Sequence, residues 1–282
     1  MKIAILSGKG GTGKTFISVN RAHINKDSIY IDCDTEEPNG HLYFKSKREK
    51  KIPVNVKIPT CNQDLCDGCL ECVNFCRYNA LAYANNKWIL FDKICHWCGA
   101  CTIVCPKKAL TEIDKSIGYY SHEKVDQTYI RSGFLNPTEV SGIPIIQELL
   151  NEDNFKNKAN TLNFIDCPPG SSCAVIESVK GADFALLVAE PSTFGSHNLE
   201  MVHNLIKLYN IPYGALLNKV TKGENPSYDY CSKNKIPILA SIDFDPKLAY
   251  INSQGLIAAK EDPRYFKIFE NLWESILKEV AK

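Results

Sequence analysis

The 282-residue sequence has almost no charge of one sign to spare, since 33 Lys and Arg against 32 Asp and Glu leave +1 at neutral pH. So balanced a chain has no bulk electrostatic pull toward nucleic acid or an anionic membrane surface. It also lacks any apolar run near the roughly 18 residues that a membrane span requires. No secretory leader is read at its start, because Met1 runs directly into the short apolar stretch Lys2 to Leu6. A cytoplasmic protein without membrane association is the expectation. The remaining composition, 44% hydrophobic and 23% charged, is that of an ordinary globular chain with one large or two modest domains. Cysteine, by contrast, is abundant at 13 residues. In a chain with no leader, thiols in that number point to metal rather than to disulfides.

Eight of the cysteines form two runs, Cys66, Cys69, Cys72, Cys76 and Cys95, Cys98, Cys101, Cys105, each spaced CxxCxxCxxxC. Every cysteine of the first run recurs 29 residues later, and Ala80-Leu81 recurs as Ala109-Leu110, so the segment reads as a duplicated unit. Three thiolates two residues apart can wrap a loop around a cubane cluster while the fourth comes from elsewhere. Zinc also uses CxxC pairs, but it closes on four ligands and leaves the middle cysteine of each triplet, and Cys76 and Cys105, without a role. Cys61, Cys66 and Cys69 imitate the CxxxxCxxC start that suits a two-iron cluster; the complete second run argues against it and makes Cys61 a spare thiol. His96 and Trp97 are read as covering a cluster rather than ligating it. Arg77 follows Cys76 where Pro106 follows Cys105, so a positive charge is expected beside one cluster. The spacing resembles that of bacterial two-cluster ferredoxins, in which the fourth cysteine of each run serves the other run's cluster. That resemblance implies one [4Fe-4S] cluster on Cys66, Cys69, Cys72 and Cys105 and a second on Cys95, Cys98, Cys101 and Cys76.

The chain opens with a second motif. Lys2 to Ser7 suits a buried parallel strand, a helix is expected from Lys14 to about Asn25, and between them lies Gly8-Lys9-Gly10-Gly11-Thr12-Gly13-Lys14-Thr15. This is GxxxxGK[ST] in its strand-loop-helix setting. Glycines let backbone N–H groups converge on phosphate oxygens, the helix N-terminus adds a favourable dipole, Lys14 reaches the β and γ phosphates, and Thr15 offers its hydroxyl to Mg²⁺. Further on, Ile29 to Asp34 reads as a strand ending in acids. Asn163 to Gly170 reads as another that runs through Asp166 into a turn, and strand ends are where open α/β sheets place ligands. Leu216 to Thr221 ends a strand with Asn218-Lys219 but has Thr221 where guanine readers carry an aspartate. ATP is therefore expected over GTP, with the Asn218 amide donating to and accepting from the adenine edge.

The added lysine, Lys9, makes the loop resemble the deviant Walker A motif of the MinD, Mrp and nitrogenase iron protein superfamily. The resemblance implies that Lys9 crosses a dimer interface to the partner's nucleotide, supplying charge as an arginine finger does. It further implies that Asp34 positions or deprotonates the attacking water, that Asp166 holds Mg²⁺ through water, that Gly170 belongs to a γ-phosphate-sensing turn, and that Glu190-Pro191-Ser192 lines the nucleotide site. Asp32 is left open between a structural and a functional role.

The expected fold is α/β: a P-loop NTPase with a mostly parallel sheet and helices on both faces, interrupted by a ferredoxin domain. The ATPase is expected at 1–51, with Lys45 to Lys51 as a charged linker, and again at 115–282, with the cysteine unit at 52–114. Within the second part, a hairpin or short strands are expected over Gly118 to Asn136, a helix over Ser141 to Leu150, and strands at Leu162 to Ile165, Phe184 to Ala189, Tyr213 to Leu217 and Ile236 to Leu239. Pro263 to Lys282 is amphipathic, with Phe266, Phe269, Leu272, Trp273, Ile276, Leu277 and Val280 on one face; its polar face lacks cationic excess, so it is read as packing on the core. Cys33 and Cys167 neighbour the acids and Cys173 opens the helix after the turn; they are read as small packing thiols, with the binding of an extra metal ion or cluster across a dimer as the alternative, and Cys231, which has no motif, is read as structural. Functionally, the resemblance points to a homodimer, or a heterodimer with a related ATPase, that gates electrons to a redox client. The alternatives are a metallocentre assembly ATPase and a nucleotide-switched positioning protein with structural clusters.

Overall fold

The computed structural model describes residues 1–47, 50–151 and 161–281. Arg48 and Glu49 of the expected linker, and the terminal Lys282, lie outside the described residues. A nine-stranded sheet is built on β1 (Lys2–Leu6), flanked on one side by β8 (Asn163–Asp166), β2 (Ile29–Asp32) and β7 (Thr128–Leu135), and on the other by β9 (Phe184–Ala189), β10 (Tyr213–Val220) and β11 (Ile238–Asp243). All of these pair in parallel.

The central strands are apolar on both faces and sort their side chains by parity, as a pleated strand must. Ile3 and Ile5 of β1, with Phe184, Leu186 and Val188 of β9, face one core, which is covered by α1 (Lys14–Ile24), α9 (Pro246–Ser253), α10 (Ala258–Glu261) and α11 (Pro263–Val280). Ala4 and Leu6, with Ala185, Leu187 and Ala189, face the other, covered by α5 (Ile143–Leu150), α6 (Cys173–Val179), α7 (Thr193–Leu208) and α8 (Pro226–Lys233). The short α2 (Gly40–Tyr43) follows the loop after β2. As expected, α11 packs inward, burying Tyr265, Phe269, Leu272 and Ile276, but Phe266, Leu277 and Val280 of the expected face stay exposed because they lie at its edges. No helix among the described residues is long and apolar enough to cross a membrane.

Beyond β7 the sheet continues antiparallel through β6 (Leu110–Val125) to its edge, β3 (Lys51–Cys61). Gly118 to Val125 of β6 pair with β7, while Leu110 to Ser116 pair with β3 alone. A two-stranded ribbon therefore leaves the sheet and carries the cysteine unit at its tip, and it runs unbroken past residues 52 and 114. Pro53 and Pro59 lie in β3, where the missing N–H of proline is tolerated because the strand is an edge.

At the tip, α3 (Glu71–Phe75), the hairpin β4 (Leu81–Ala84) and β5 (Lys87–Leu90), a 3₁₀ turn at Asp92–Ile94 and α4 (Ala100–Val104) surround Leu81, Trp88 and Leu110. The 29-residue repeat reappears in the backbone. Gly68, Leu70 and Asn79 are left-handed, and so are Trp97, Gly99 and Lys108, each 29 positions on. Each copy thus spends one glycine at a different one of its left-handed positions, and Leu70 and Trp97 accept φ near +60°, which side chains adopt at a cost.

Candidate functional site

The order around β1 reverses direction: neighbours on one side lead to β8 and β2, on the other to β9, and the crevice beyond the carboxyl ends of such strands is where α/β sheets bind ligands. Gly8 to Gly13 fills that position and feeds α1. Gly13, at φ 100°, caps the helix, and a Cβ there would sit 2.4 Å from Asn218 Nδ2. Gly10, Gly11 and Gly170 would meet nothing within 4 Å, so the mouth of the loop is open. Thr12 and Lys14 are buried beneath it, and the Gly170 N–H donates to the Ser7 carbonyl at 3.0 Å.

Three acids converge under the loop because β2 and β8 are neighbours in register, Asp32 opposite Asp166. The two oxygens of Asp32 accept from the N–H groups of Asp34 (3.3 Å) and Gly40 (3.0 Å), so this acid holds the loop after β2. Burial and the nearby Asp166 push its carboxyl well above the usual range. Asp166 Oδ2 accepts from the Tyr30 hydroxyl at 2.9 Å, while its buried Oδ1 has no hydrogen-bond partner. Burial raises the Asp166 pKa; the Lys14 ammonium and the hydroxyls of Thr15, Tyr30 and Ser18 pull it down. An unpartnered carboxylate oxygen beside a threonine hydroxyl is a donor set that fits Mg²⁺. Asp34 is partly exposed, and burial raises its pKa to about 6 against the lowering effect of Lys14.

Lys9 folds back in the single chain and pairs with Glu190, whose other oxygen lies 3.8 Å from Lys219 Nζ. Lys219 donates to the Gly11 carbonyl at 2.6 Å and Asn218 Nδ2 to the Thr12 carbonyl at 2.8 Å. One amide hydrogen of Asn218 therefore braces the loop. Asn218 also lines a cavity of about 350 Å³ with Gly13, Phe16, Lys219, Phe244 and Asp245. Sequence reasoning missed Ser18 and Tyr30, although both lie inside segments it singled out, and Phe244 and Asp245, which lie far from the motifs along the chain; only the acids flanking Phe244 after a strand gave a signal.

Residues 3–257 match the family described as the CobQ/CobB/MinD/ParA nucleotide binding domain. The chain belongs to that family. The MinD/ParA-type chain is also 34% identical over 254 residues to the uncharacterized protein MJ0578 of Methanocaldococcus jannaschii, covering 88% of this chain and 87% of that one. Among solved structures it resembles the cell division ATPase MinD of Pyrococcus furiosus, with TM-score 0.61, 19% identity and 98% of each chain covered. It likewise resembles a plasmid partition protein of Borrelia burgdorferi B31 bound to AMPPNP, with TM-score 0.60, 17% identity and 98% of each chain covered.

On this MinD/ParA-type core the ribbon carries two cavities. One is lined by Cys66, Cys69, Cys72 and Cys105, the other by Cys76, Cys95, Cys98 and Cys101. Each trailing cysteine accepts an N–H on its sulfur, from Ala80 to Cys76 at 3.4 Å and from Ala109 to Cys105 at 3.3 Å. Arg77, Tyr78 and His96 line the second cavity, with Tyr78 and His96 stacked at 3.9 Å. Among the described residues no three His, Cys, Asp or Glu side chains converge as a single ion would require.

A path of contacts joins the two regions. The Leu135 N–H donates to the Thr35 carbonyl at 2.9 Å, tying the loop that carries Asp34 to the end of β7. Glu139, in the loop that follows β7, lies 3.0 Å from Lys115 Nζ, which also reaches Asp92 at 3.2 Å, just ahead of Cys95. Trp97 packs against the core of the main sheet. Cys33 and Cys167 are fully buried, and burial raises both thiol pKa values, which keeps them protonated; Cys231 is buried and Cys173 exposed.

Proposed function

We propose that this chain is an ATP-binding and ATP-hydrolysing iron-sulfur protein whose nucleotide-dependent dimer rearrangement drives electron transfer to a partner redox protein. The observation that carries it is the division of eight cysteines between two cavities, each taking three from one run and one from the other, on a MinD/ParA-type nucleotide-binding core. The thiols stand around cavities rather than on a point, which suits a cubane, and the N–H groups aimed at Cys76 and Cys105 suit anionic sulfur. Bound there, two [4Fe-4S] clusters would supply one-electron transfer.

In this reading the N–H groups of Gly10 to Thr15 and the Lys14 ammonium hold the phosphates, and Thr15 and Asp166 hold Mg²⁺. Asp34, next to Lys14, orients the attacking water. Lys9 leaves Glu190 to reach the nucleotide of a second subunit, homologous or identical. Loss of the γ-phosphate is sensed by the turn at Gly170 and by the Asp34 loop, whose tie to β7 leads toward Cys95.

A second reading, a nucleotide-switched positioning protein, draws support from the likeness to cell-division and partition proteins. Against it, α11 turns its apolar face to the core and offers no membrane address. An anaerobic reductive titration followed by electron paramagnetic resonance, with MgATP against MgADP, tests the proposal. A nucleotide-dependent change in cluster potential or line shape is expected. Clusters that ignore the nucleotide would refute gating, and release of iron to an apo acceptor would make the protein an assembly carrier instead.

A further inference from the structure

We propose that Cys61 is a fifth thiol of the first iron site, placed to take over an iron from Cys66. The inference rests on the iron-sulfur reading and adds a residue that the two CxxCxxCxxxC runs leave out.

Cys61 is the last residue of β3 and pairs with Leu110, which lines the cavity of Cys66, Cys69, Cys72 and Cys105. The next N–H, from Asn62, donates to the Ala109 carbonyl at 2.8 Å, and the Ala109 N–H donates to Cys105 Sγ at 3.3 Å, so one ladder end fixes Cys61 against the wall of that cavity. Its side chain packs in the same small apolar group as Cys66, Cys72 and Cys105. Within that group Cys66 is the thiol that acts on it most strongly.

The duplication supplies an internal control. The position 29 residues after Cys61 is Leu90, which packs in the same apolar group from the other half of the unit. An apolar side chain therefore satisfies the packing in one half, and the thiol in the other half is surplus to the fold. Cys61 and Cys66 are both free thiols, without a disulfide.

The exchange balances without an oxidant. The Cys61 thiol gives up its proton and forms an Fe–S bond as the Cys66 Fe–S bond breaks, and the Cys66 thiolate takes up a proton. No electron moves and the cluster charge is unchanged. Such a site can vary one ligand without losing iron, and the second site has Leu90 where the first has Cys61.

The test is the iron and sulfide content of anaerobically reconstituted protein, with electron paramagnetic resonance of the reduced state. The set is wild type, Cys61→Ala, Cys66→Ala and Cys61→Ala/Cys66→Ala. Wild type, Cys61→Ala and Cys66→Ala are each expected to hold about eight irons per chain, and the double variant about four. As a second readout, alkylation followed by mass spectrometry should label Cys61 in loaded wild type and leave it protected in loaded Cys66→Ala. A Cys66→Ala protein that falls to the content of the double variant, with Cys61 still labelled, overturns the inference while the iron-sulfur reading stands. A wild type that binds no iron overturns both.

Discussion

Replacing Asp34 with asparagine should make the nucleotide-free protein more stable at neutral pH even as it stops turnover. The Asp34 carboxyl is raised from an ordinary 3.8 to about 6, chiefly by burial. Each unit is worth about 1.4 kcal/mol, so the full shift corresponds to about 3 kcal/mol against the ionised form. Part of the side chain faces solvent, and screening reduces this to about 1–2 kcal/mol. The sign follows from which state binds the proton. At low pH both folded and unfolded chains carry it and there is no penalty; between the two pKa values the unfolded chain ionises first, and stability falls as pH rises. Above about 6 the penalty is constant. The difference between Asp34→Asn and wild type should therefore be small at pH 4.5 and reach about 1–2 kcal/mol at pH 7. Urea unfolding of nucleotide-free protein across this range measures it. A variant no more stable than wild type at pH 7, with a gap that does not change with pH, would show that Asp34 is not held against its own charge.

Lys14→Ala should abolish ATP turnover and leave the iron content at the wild-type level; loss of iron in that variant would mean that the two sites do not fold separately. Conversely, Cys69→Ser should damage one cluster while nucleotide binding, followed by fluorescence of a labelled nucleotide, persists. Asn218→Ala removes the donor to the Thr12 carbonyl and should cost about 1–2 kcal/mol in urea unfolding together with weaker nucleotide binding. Lys115→Met leaves Glu139 without its cation in a half-buried setting; a loss of about 1–3 kcal/mol is expected, and none would show that the ion pair is idle.

Much of this was legible in the sequence where chemistry demands a fixed spacing. The phosphate loop lies between β1 and α1 as its motif requires, and the parity of Ile3, Ala4, Ile5 and Leu6 marks a strand buried on both faces. The 29-residue repeat reappears as matched left-handed positions. What could not be read depends on partners remote in sequence. Pro53 and Pro59 argue against a strand until the edge position of β3 is known. The strand expected at Ile236 to Leu239 lies at Ile238–Asp243, because the other edge of the sheet admits the polar Ser241 and Asp243. Tyr30 reaches Asp166 across 136 residues, and the grip of Glu190 on Lys9 joins the phosphate loop to the end of the neighbouring strand β9, 181 residues on; neither leaves a local pattern.

The ribbon of β3 and β6 has a consequence for how the chain is assembled. Its last rung, Cys61 opposite Leu110, brings the two ends of the intervening segment side by side. Seen from the sheet, everything beyond that rung is a hairpin loop of unusual length. Loop-closure entropy grows only logarithmically with length, so β2 and β7 find each other at little more cost than if a tight turn stood there. Excising the tip and closing the rung with a short turn would thus leave a sheet that still folds.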